Sequence, residues 1–312
     1  MTFDMELLAV VTRRSDLFTA REAYATGTSP KMLHRAHRAG QCRQVLRGIY
    51  STMPEPGRRE ERLRELTMAM MLSNDNAAAT GRSAAAMYEW PLFGVNFKRA
   101  QGVWLNDNAT RSNSSLIIRR PLVPMGVDDV DGWPVARPEW ALIDLARDAG
   151  IVPGVVAMDA ALHAGMVTCA AVEESLDQLR GSHRLNRARR MIDLADSARE
   201  SAGESRLGII LQQAGFEVES QFALHRFWSG RRAFADFRIN GTRVLIEFDG
   251  LTKYRGDEGA EALAQEKARE DELRSQGWVF VRVVWSDLAH PQDIIGRVRR
   301  ALEMAHRTPS AL

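Results

Sequence analysis

With 312 residues, 45% of them apolar, the chain has material for two or three hydrophobic cores and is globular by composition. Its 42 Lys and Arg against 40 Asp and Glu leave a net charge of +2, which excludes a polycation, so any nucleic-acid footprint has to be local. Two distant cysteines, Cys42 and Cys169, a start (MTFDMELLAVV) without the basic residues of a secretion signal, and no apolar run of membrane length predict a reducing, cytoplasmic setting with no membrane partner.

The first fifty residues read as three short helices and a hairpin. FDMELLAVV has apolar residues at helical spacing. TAREAYATG opens with Thr19 and Glu22 in capping-box register and closes on Gly27. SPKMLHRAHRAG offers Ser29 as cap, Pro30 at the first helical position and Gly40 as stop. RQVL and GIYS around Arg47-Gly48 supply two strands, completing a winged helix-turn-helix over 1–56. Residues 31 to 50 contain Lys31, Arg35, Arg38, Arg43 and Arg47 with no Asp or Glu. Lys31, His34, Arg35 and Arg38 on the recognition helix, with Arg43 and Arg47 in the wing, are the expected DNA contacts, although a solvated basic helix or a protein-contact module would carry the same pattern. His34 and His37, three apart with no Cys or carboxylate cluster nearby, are read as helix-surface residues, not metal ligands.

Residues 57–196 read as a mixed α/β region. ELTMAMML, GRSAAAMYEW, RPEWALIDLARDAG, PGVVAMDAALHAG and TCAAVEESLDQLRG have helical spacing, whereas GVWLND and SLIIRRPLV read as strands. RLNRARRMIDLADSARE is locally basic and reads as a solvated helix, with a second binding face flanking DNA as the alternative. Asp144 and Asp159 fall in helical patterns and are read as caps, ion-pair partners or surface positions.

The remaining segment, 197–306, concentrates carboxylates in FADFRINGTRVLIEFDG. Asn240-Gly241 predicts a two-residue type I′ turn, which pairs Ala235 with Ile246, Asp236 with Leu245 and Phe234 with Glu247. Alternation then sets Ala235, Phe237, Ile239, Val244, Ile246 and Phe248 on one face and Asp236, Glu247 and Asp249 on the other. Asp236 and Glu247 become diagonal neighbours with β-carbons about 7–8 Å apart. A hard cation, Mg²⁺ or Mn²⁺, would relieve their repulsion; pairing with Arg238, Arg243 or another base would do so as well.

SAGESRLGIILQQAG, ESQFAL, FADFRI, VLIEFDG, the charged helix EKAREDELRSQGW and the strand VFVRVVWSDL together resemble the very-short-patch-repair (Vsr) branch of the PD-(D/E)xK, restriction-endonuclease-like fold. Residues 1 to about 196 resemble AbiEi-type antitoxins, a winged helix followed by a mixed domain. The implied fold class is α/β: a winged helix-turn-helix, a mixed α/β middle and a restriction-endonuclease-like domain with a mixed sheet. The resemblance implies Asp236 and Glu247 as metal ligands for Mg²⁺ or Mn²⁺, with Glu204 as the helix glutamate that completes the site. Ser201 and Glu204 also stand in capping-box register, a structural reason for both. Gln221 is either an auxiliary polar residue at the mouth or an ordinary strand residue.

The sequence departs from the broader pattern where Asp249 replaces the lysine expected two residues after Glu247. Lys253 is the first candidate to supply that charge and Lys267 the second, with Tyr254 a candidate for stacking or positioning water. The expectation is a metal-dependent DNA endonuclease, metal-bound water attacking phosphorus, positioned by the winged helix and acting in phage defence or a toxin-antitoxin-like setting. Its rivals are a non-catalytic DNA-binding regulator that keeps the nuclease fold as scaffold, and an antitoxin that binds a toxin partner through the middle region. RNA as substrate and a homodimer stay open.

Overall fold

The computed structural model describes residues 16–107, 109–224, 233–250 and 269–307. The first expected helix, FDMELLAVV, and Lys253, Tyr254 and Lys267 lie outside them. The chain forms two compact units, Met1–Ala157 with Met166–Ile192, and Met158–Gly165 with Asp193–Leu312.

In the first unit, local caps set the opening helices. Strand β1 (Leu17–Thr19) leads into helix α1 (Ala20–Ala25), where Thr19 N–H donates to Glu22 Oε2 at 2.8 Å and Glu22 N–H to Thr19 Oγ1 at 3.0 Å. Helix α2 (Pro30–Arg38) starts on Ser29, whose Oγ accepts the Met32 N–H at 3.3 Å. Strands β2 (Arg43–Leu46) and β3 (Ile49–Ser51) follow, and the three strands form an antiparallel sheet in the order β1-β3-β2. The unexpected member is β1, three residues that carry no alternation of their own. Phe18, Ala23, Leu33, Ala36 and Cys42 make the small core that fixes α2 against this sheet.

The rest of the unit adds α3 (Arg59–Leu72), β4 (Ala77–Ala79), α4 (Gly81–Met87), β5 (Ala100–Trp104), β6 (Arg111–Ser112), β7 (Leu116–Arg119), β8 (Val127–Val130), β9 (Trp133–Ala136), α5 (Pro138–Ala149), α6 (Ile151–His163), α7 (Cys169–Gln178) and α8 (Leu185–Leu194). The last turns of α6, from Met158, and the end of α8 fall in the second unit. Its mixed sheet has the order β6-β7-β5-β4-β9-β8, with β5 parallel to β7 and β4 parallel to β9.

In the second unit, α9 (Ala202–Gln213) precedes strands β10 (Val218–Leu224), β11 (Ala233–Ile239) and β12 (Val244–Asp249). Helical residues 269–275, β13 (Val279–Val284), a 3-10 turn (Asp287–Ala289) and α10 (Pro291–Arg307) complete it. The sheet runs β10-β11-β12-β13 and is mixed, because β12 and β13 are parallel. One face buries Phe237, Ile239, Val244, Ile246 and Phe248 against Leu207, Leu211, Ile294 and Val298. Leu245 on the other face packs with Leu224, Ala235 and Leu273.

The hairpin differs from the two-residue turn expected for it. Phe237 pairs with Ile246 and Arg238 with Leu245, a register two residues away from Asp236 opposite Leu245. Gly241 takes φ +70, but Asn240 is not among the residues with positive φ, and a type I′ turn needs both. Thr242 decides the alternative. Its Oγ1 donates to the Ile239 carbonyl at 2.8 Å and accepts the Val244 N–H at 3.2 Å, closing a loop over residues 240–243. A shift of two keeps every residue of β12 on its expected face. Ala235 does change clusters, joining Leu245 and Leu273. The β10–β11 ladder skips Gln221 and Asp236, and Gln221 takes φ +49; Val218 packs on the first face and Phe222, beyond this break, on the second.

Candidate functional site

The two faces of α2 separate cleanly. Leu33 and Ala36 are buried, whereas Lys31, His34, Arg35 and Arg38, one helical stripe at spacing i, i+3, i+4 and i+7, are all exposed. None of these four has an ion pair or hydrogen bond among the described residues, so their donors are available to a ligand. His37 lies beside them but turns inward: its Nδ1–H donates to the Cys42 carbonyl at 3.1 Å, and its ring meets Tyr50 edge-on at 6.0 Å. Arg47 is exposed at the tip of the wing, beside Gly48 at φ +80. Arg43 is differently placed. Its Nε donates to the Met53 carbonyl at 2.8 Å, Nη2 to the Pro54 carbonyl at 3.3 Å, and the same Nη2 pairs with Glu65, which ties the wing to α3.

Sequence reasoning passed over Arg21. It is exposed in the first turn of α1, the helix before the expected recognition helix α2, and has no partner among the described residues. Its signal was its position, since the first helix of a helix-turn-helix crosses the duplex backbone.

In the second unit, the structure brings the predicted carboxylates to one end of the sheet but gives each of them a protein partner. Glu204 N–H donates to Ser201 Oγ at 3.1 Å, and Glu204 Oε2 accepts from the Glu200 N–H at 3.0 Å and from Gln221 Nε2 at 3.2 Å. Gln221 is therefore a left-handed residue whose amide is aimed at the helix glutamate. Asp236 Oδ2 accepts the Phe248 N–H at 2.6 Å. Gly203 admits the Phe248 ring to the start of α9, because a Cβ there would lie 2.0 Å from Phe248 Cε1.

Glu247, 6% exposed, accepts from Arg269 Nη2 at 2.7 Å and lies 3.6 Å from Arg282 Nη2. Arg282 also reaches Asp249 Oδ2 at 3.1 Å and Glu270 Oε2 at 2.9 Å. Burial works against the charge on Arg282, yet Asp249, Glu247 and Glu270 hold its guanidinium above the ordinary value. Arginines from helix 269–275 and β13 are thus the bases that neutralise this face. Arg238 instead donates to the Thr242 carbonyl at 3.0 Å and lies over the Phe222 ring, and Arg243 donates to the Gln276 carbonyl at 3.1 Å. Carboxylate oxygens suit Mg²⁺, but no group of three or more His, Cys, Asp or Glu among the described residues converges to hold a metal.

The aspartates of the helical patterns are ion-pair partners. Asp144 accepts from Thr80 Oγ1 at 2.8 Å and Arg147 Nη1 at 3.2 Å. Asp159 Oδ2 receives Arg199 Nη1 at 3.1 Å in the interior of the second unit, where the Arg199 side chain is fully buried.

Two family models match. Residues 5–52 match the one described as "Transcriptional regulator, AbiEi antitoxin", and residues 105–194 match the one described as "AbiEi antitoxin C-terminal domain". Both support the AbiEi-type resemblance of the first part of the chain, and both lie ahead of the carboxylate hairpin. Two curated relatives from Mycobacterium tuberculosis, the uncharacterized protein MT2308 of strain CDC 1551 and the uncharacterized protein Rv2248 of strain H37Rv, are each 24% identical over 265 residues, which is 84% of this chain and 93% of theirs. No helix among the described residues is long and apolar enough to cross a membrane.

Proposed function

We propose that the chain is a DNA-binding regulator of the AbiEi antitoxin type, using α2 as recognition helix and Arg47 as wing contact. The single observation that carries this is the stripe of Lys31, His34, Arg35 and Arg38, exposed and without partners among the described residues, on a helix fixed from behind by Leu33 and Ala36. Lys31, Arg35 and Arg38 supply charge to phosphates or bidentate donors to guanine, and the match of residues 5–52 to a transcriptional-regulator model supports the same reading. Residues 105–194, similar to the antitoxin C-terminal domain, are the region for a toxin partner. Fluorescence anisotropy with a labelled duplex tests the DNA contact: an Arg35→Glu/Arg38→Glu variant that still folds loses binding, and equal binding by that variant would refute the assignment.

A second reading, a DNA endonuclease centred on Asp236, Glu247 and Glu204, is favoured by one observation. Gln221 carries a strained backbone at the point where the β10–β11 ladder skips Asp236, and such strain concentrates at functional sites. Against it stands the arginine clamp, since a cation at Glu247 would have to displace Arg269. Supercoiled plasmid incubated with Mg²⁺ or Mn²⁺ separates the readings: nicking that disappears in Asp236→Ala supports the enzyme, and duplex binding with no nicking supports the regulator.

A further inference from the structure

Away from α2 and from the carboxylates of the second unit, the first unit gathers three arginines around one acid. Arg82 is the second residue of α4, Arg99 immediately precedes β5, Arg119 ends β7 and Asp148 lies in the last turn of α5. Arg82 Nη1 donates to the Arg99 carbonyl at 3.4 Å, Arg99 Nη2 to Ser112 Oγ at 2.5 Å and Arg119 Nη1 to Asp148 Oδ2 at 2.7 Å. Burial holds the Arg82 guanidinium below its ordinary value; Asp148 works against that, and Arg119 and Arg99 add to it.

The cluster is short of acceptors as well as of negative charge. Arg82 and Arg99 are half-buried, yet each gives a single nitrogen to a protein acceptor, and both acceptors are neutral. The Nε atoms of both are buried with no hydrogen-bond partner among the described residues. A ligand cannot reach those two atoms, but it can reach the outer ones. Arg82 Nη2 and Arg99 Nη1 have no partner among the described residues and are not buried, and the Arg119 side chain is 47% exposed. Asp148 is already shared, because the same Oδ2 accepts from Gln101 Nε2 at 2.7 Å. Three guanidiniums against one carboxylate leave two positive charges in excess.

That excess matches one chemical group. A phosphate monoester carries about −1.5 to −2 at pH 7 and has three strong acceptor oxygens for guanidinium forks, whereas a phosphodiester or a carboxylate brings a single charge. We propose that Arg82, Arg99 and Arg119 bind the terminal phosphate of a small phosphate monoester. Its oxygens accept from Arg82 Nη2, from Arg99 Nη1 and from the outer edge of Arg119.

Methyl phosphate and dimethyl phosphate present the same tetrahedral group with different charge. Each is titrated into the full chain at fixed ionic strength while the arginine Nε–H resonances are followed by NMR. Methyl phosphate is expected to shift Arg82 and Arg99 saturably, and dimethyl phosphate to bind about tenfold more weakly or less. Arg99→Gln and Arg119→Gln should each weaken methyl phosphate by about tenfold, and Asp148→Asn should tighten it, a gain that a merely structural role does not produce. Binding should also strengthen as pH rises through about 6, where the monoester loses its second proton. Circular dichroism checks each variant, and the comparison of the two esters on the unmodified chain decides the matter if a variant fails to fold. Shifts that do not saturate, equal binding of the two esters, or indifference to Arg99→Gln would overturn the proposal. So would duplex DNA that shifts Arg82 and Arg99 where methyl phosphate does not, because the arginines would then meet a nucleic-acid backbone.

Discussion

Replacing Arg35 and Arg38 together by alanine should change how DNA affinity responds to salt, and the structure fixes by how much. Four side chains with formal positive charge on the proposed face, Lys31, Arg35, Arg38 and Arg47, are exposed and have no protein partner among the described residues. If each neutralises one phosphate, log K against log salt falls with a slope of about −3.6, and the double variant with about −1.8. Between 50 and 200 mM salt the wild type then loses roughly 150-fold in affinity and the variant roughly 12-fold. Arg43 is the internal control. Its guanidinium is held by the Met53 and Pro54 carbonyls and by Glu65, so Arg43→Ala should lower the stability of the first unit and leave the slope alone. Anisotropy of a random-sequence duplex over a salt series measures all three proteins. Equal slopes for wild type and double variant, or a slope reduced by Arg43→Ala as much as by the double variant, would refute the assignment of these side chains.

Three further outcomes concern the second unit. Asp159→Ala takes one carboxylate from the fully buried Arg199 guanidinium, which keeps Asp196 at 3.7 Å and the Leu194 carbonyl at 3.0 Å, and should cost about 3 kcal/mol, read as a lower denaturant midpoint; a cost below about 1 kcal/mol would mean that the Asp159–Arg199 pair contributes little in solution. Burial pushes the Asp159 carboxyl up to about 6, against the pull of Arg199. The folded state therefore binds the proton more tightly than the unfolded chain, and this group's contribution to stability grows as pH falls from about 6 towards about 4 and is lost as pH rises back through about 6. A carboxyl titration by NMR with its midpoint at the ordinary aspartate value would contradict that sign. Gly203→Ala drives a methyl into the Phe248 ring and should destabilise by about 1–3 kcal/mol in thermal unfolding, whereas a neutral result would show that the ring moves freely.

What could be read in advance was what is local. The Thr19–Glu22 box and the Ser29-Pro30 start lie within three or four residues of the groups they satisfy, and the structure has α1 and α2 where those caps put them. The apolar alternation of Val244, Ile246 and Phe248 is likewise a property of one strand, and it survives a two-residue change of register because parity is preserved. Non-local pairings were not legible. Arg43 reads as a DNA contact until Glu65, twenty-two residues later, is seen beside it. Glu247 reads as a metal ligand with no sign in its own strand that Arg269 and Arg282 will close on it. Strand β4 is three alanines, which carry no strand propensity, and exists because β5 and β9 flank it. Gln101 is an ordinary polar residue in sequence, and only the fold shows it buried on β5 with its amide donating to Asp148 on α5.

The most direct test of the account is to titrate the labelled full chain with duplex DNA and follow backbone amide shifts residue by residue. The account predicts that the largest changes fall on Lys31 to Arg38 and at Arg47, with Arg21 next and Cys42 unaffected on its buried side. Shifts absent from α2 and concentrated instead around Asp236 and Glu247 would contradict it.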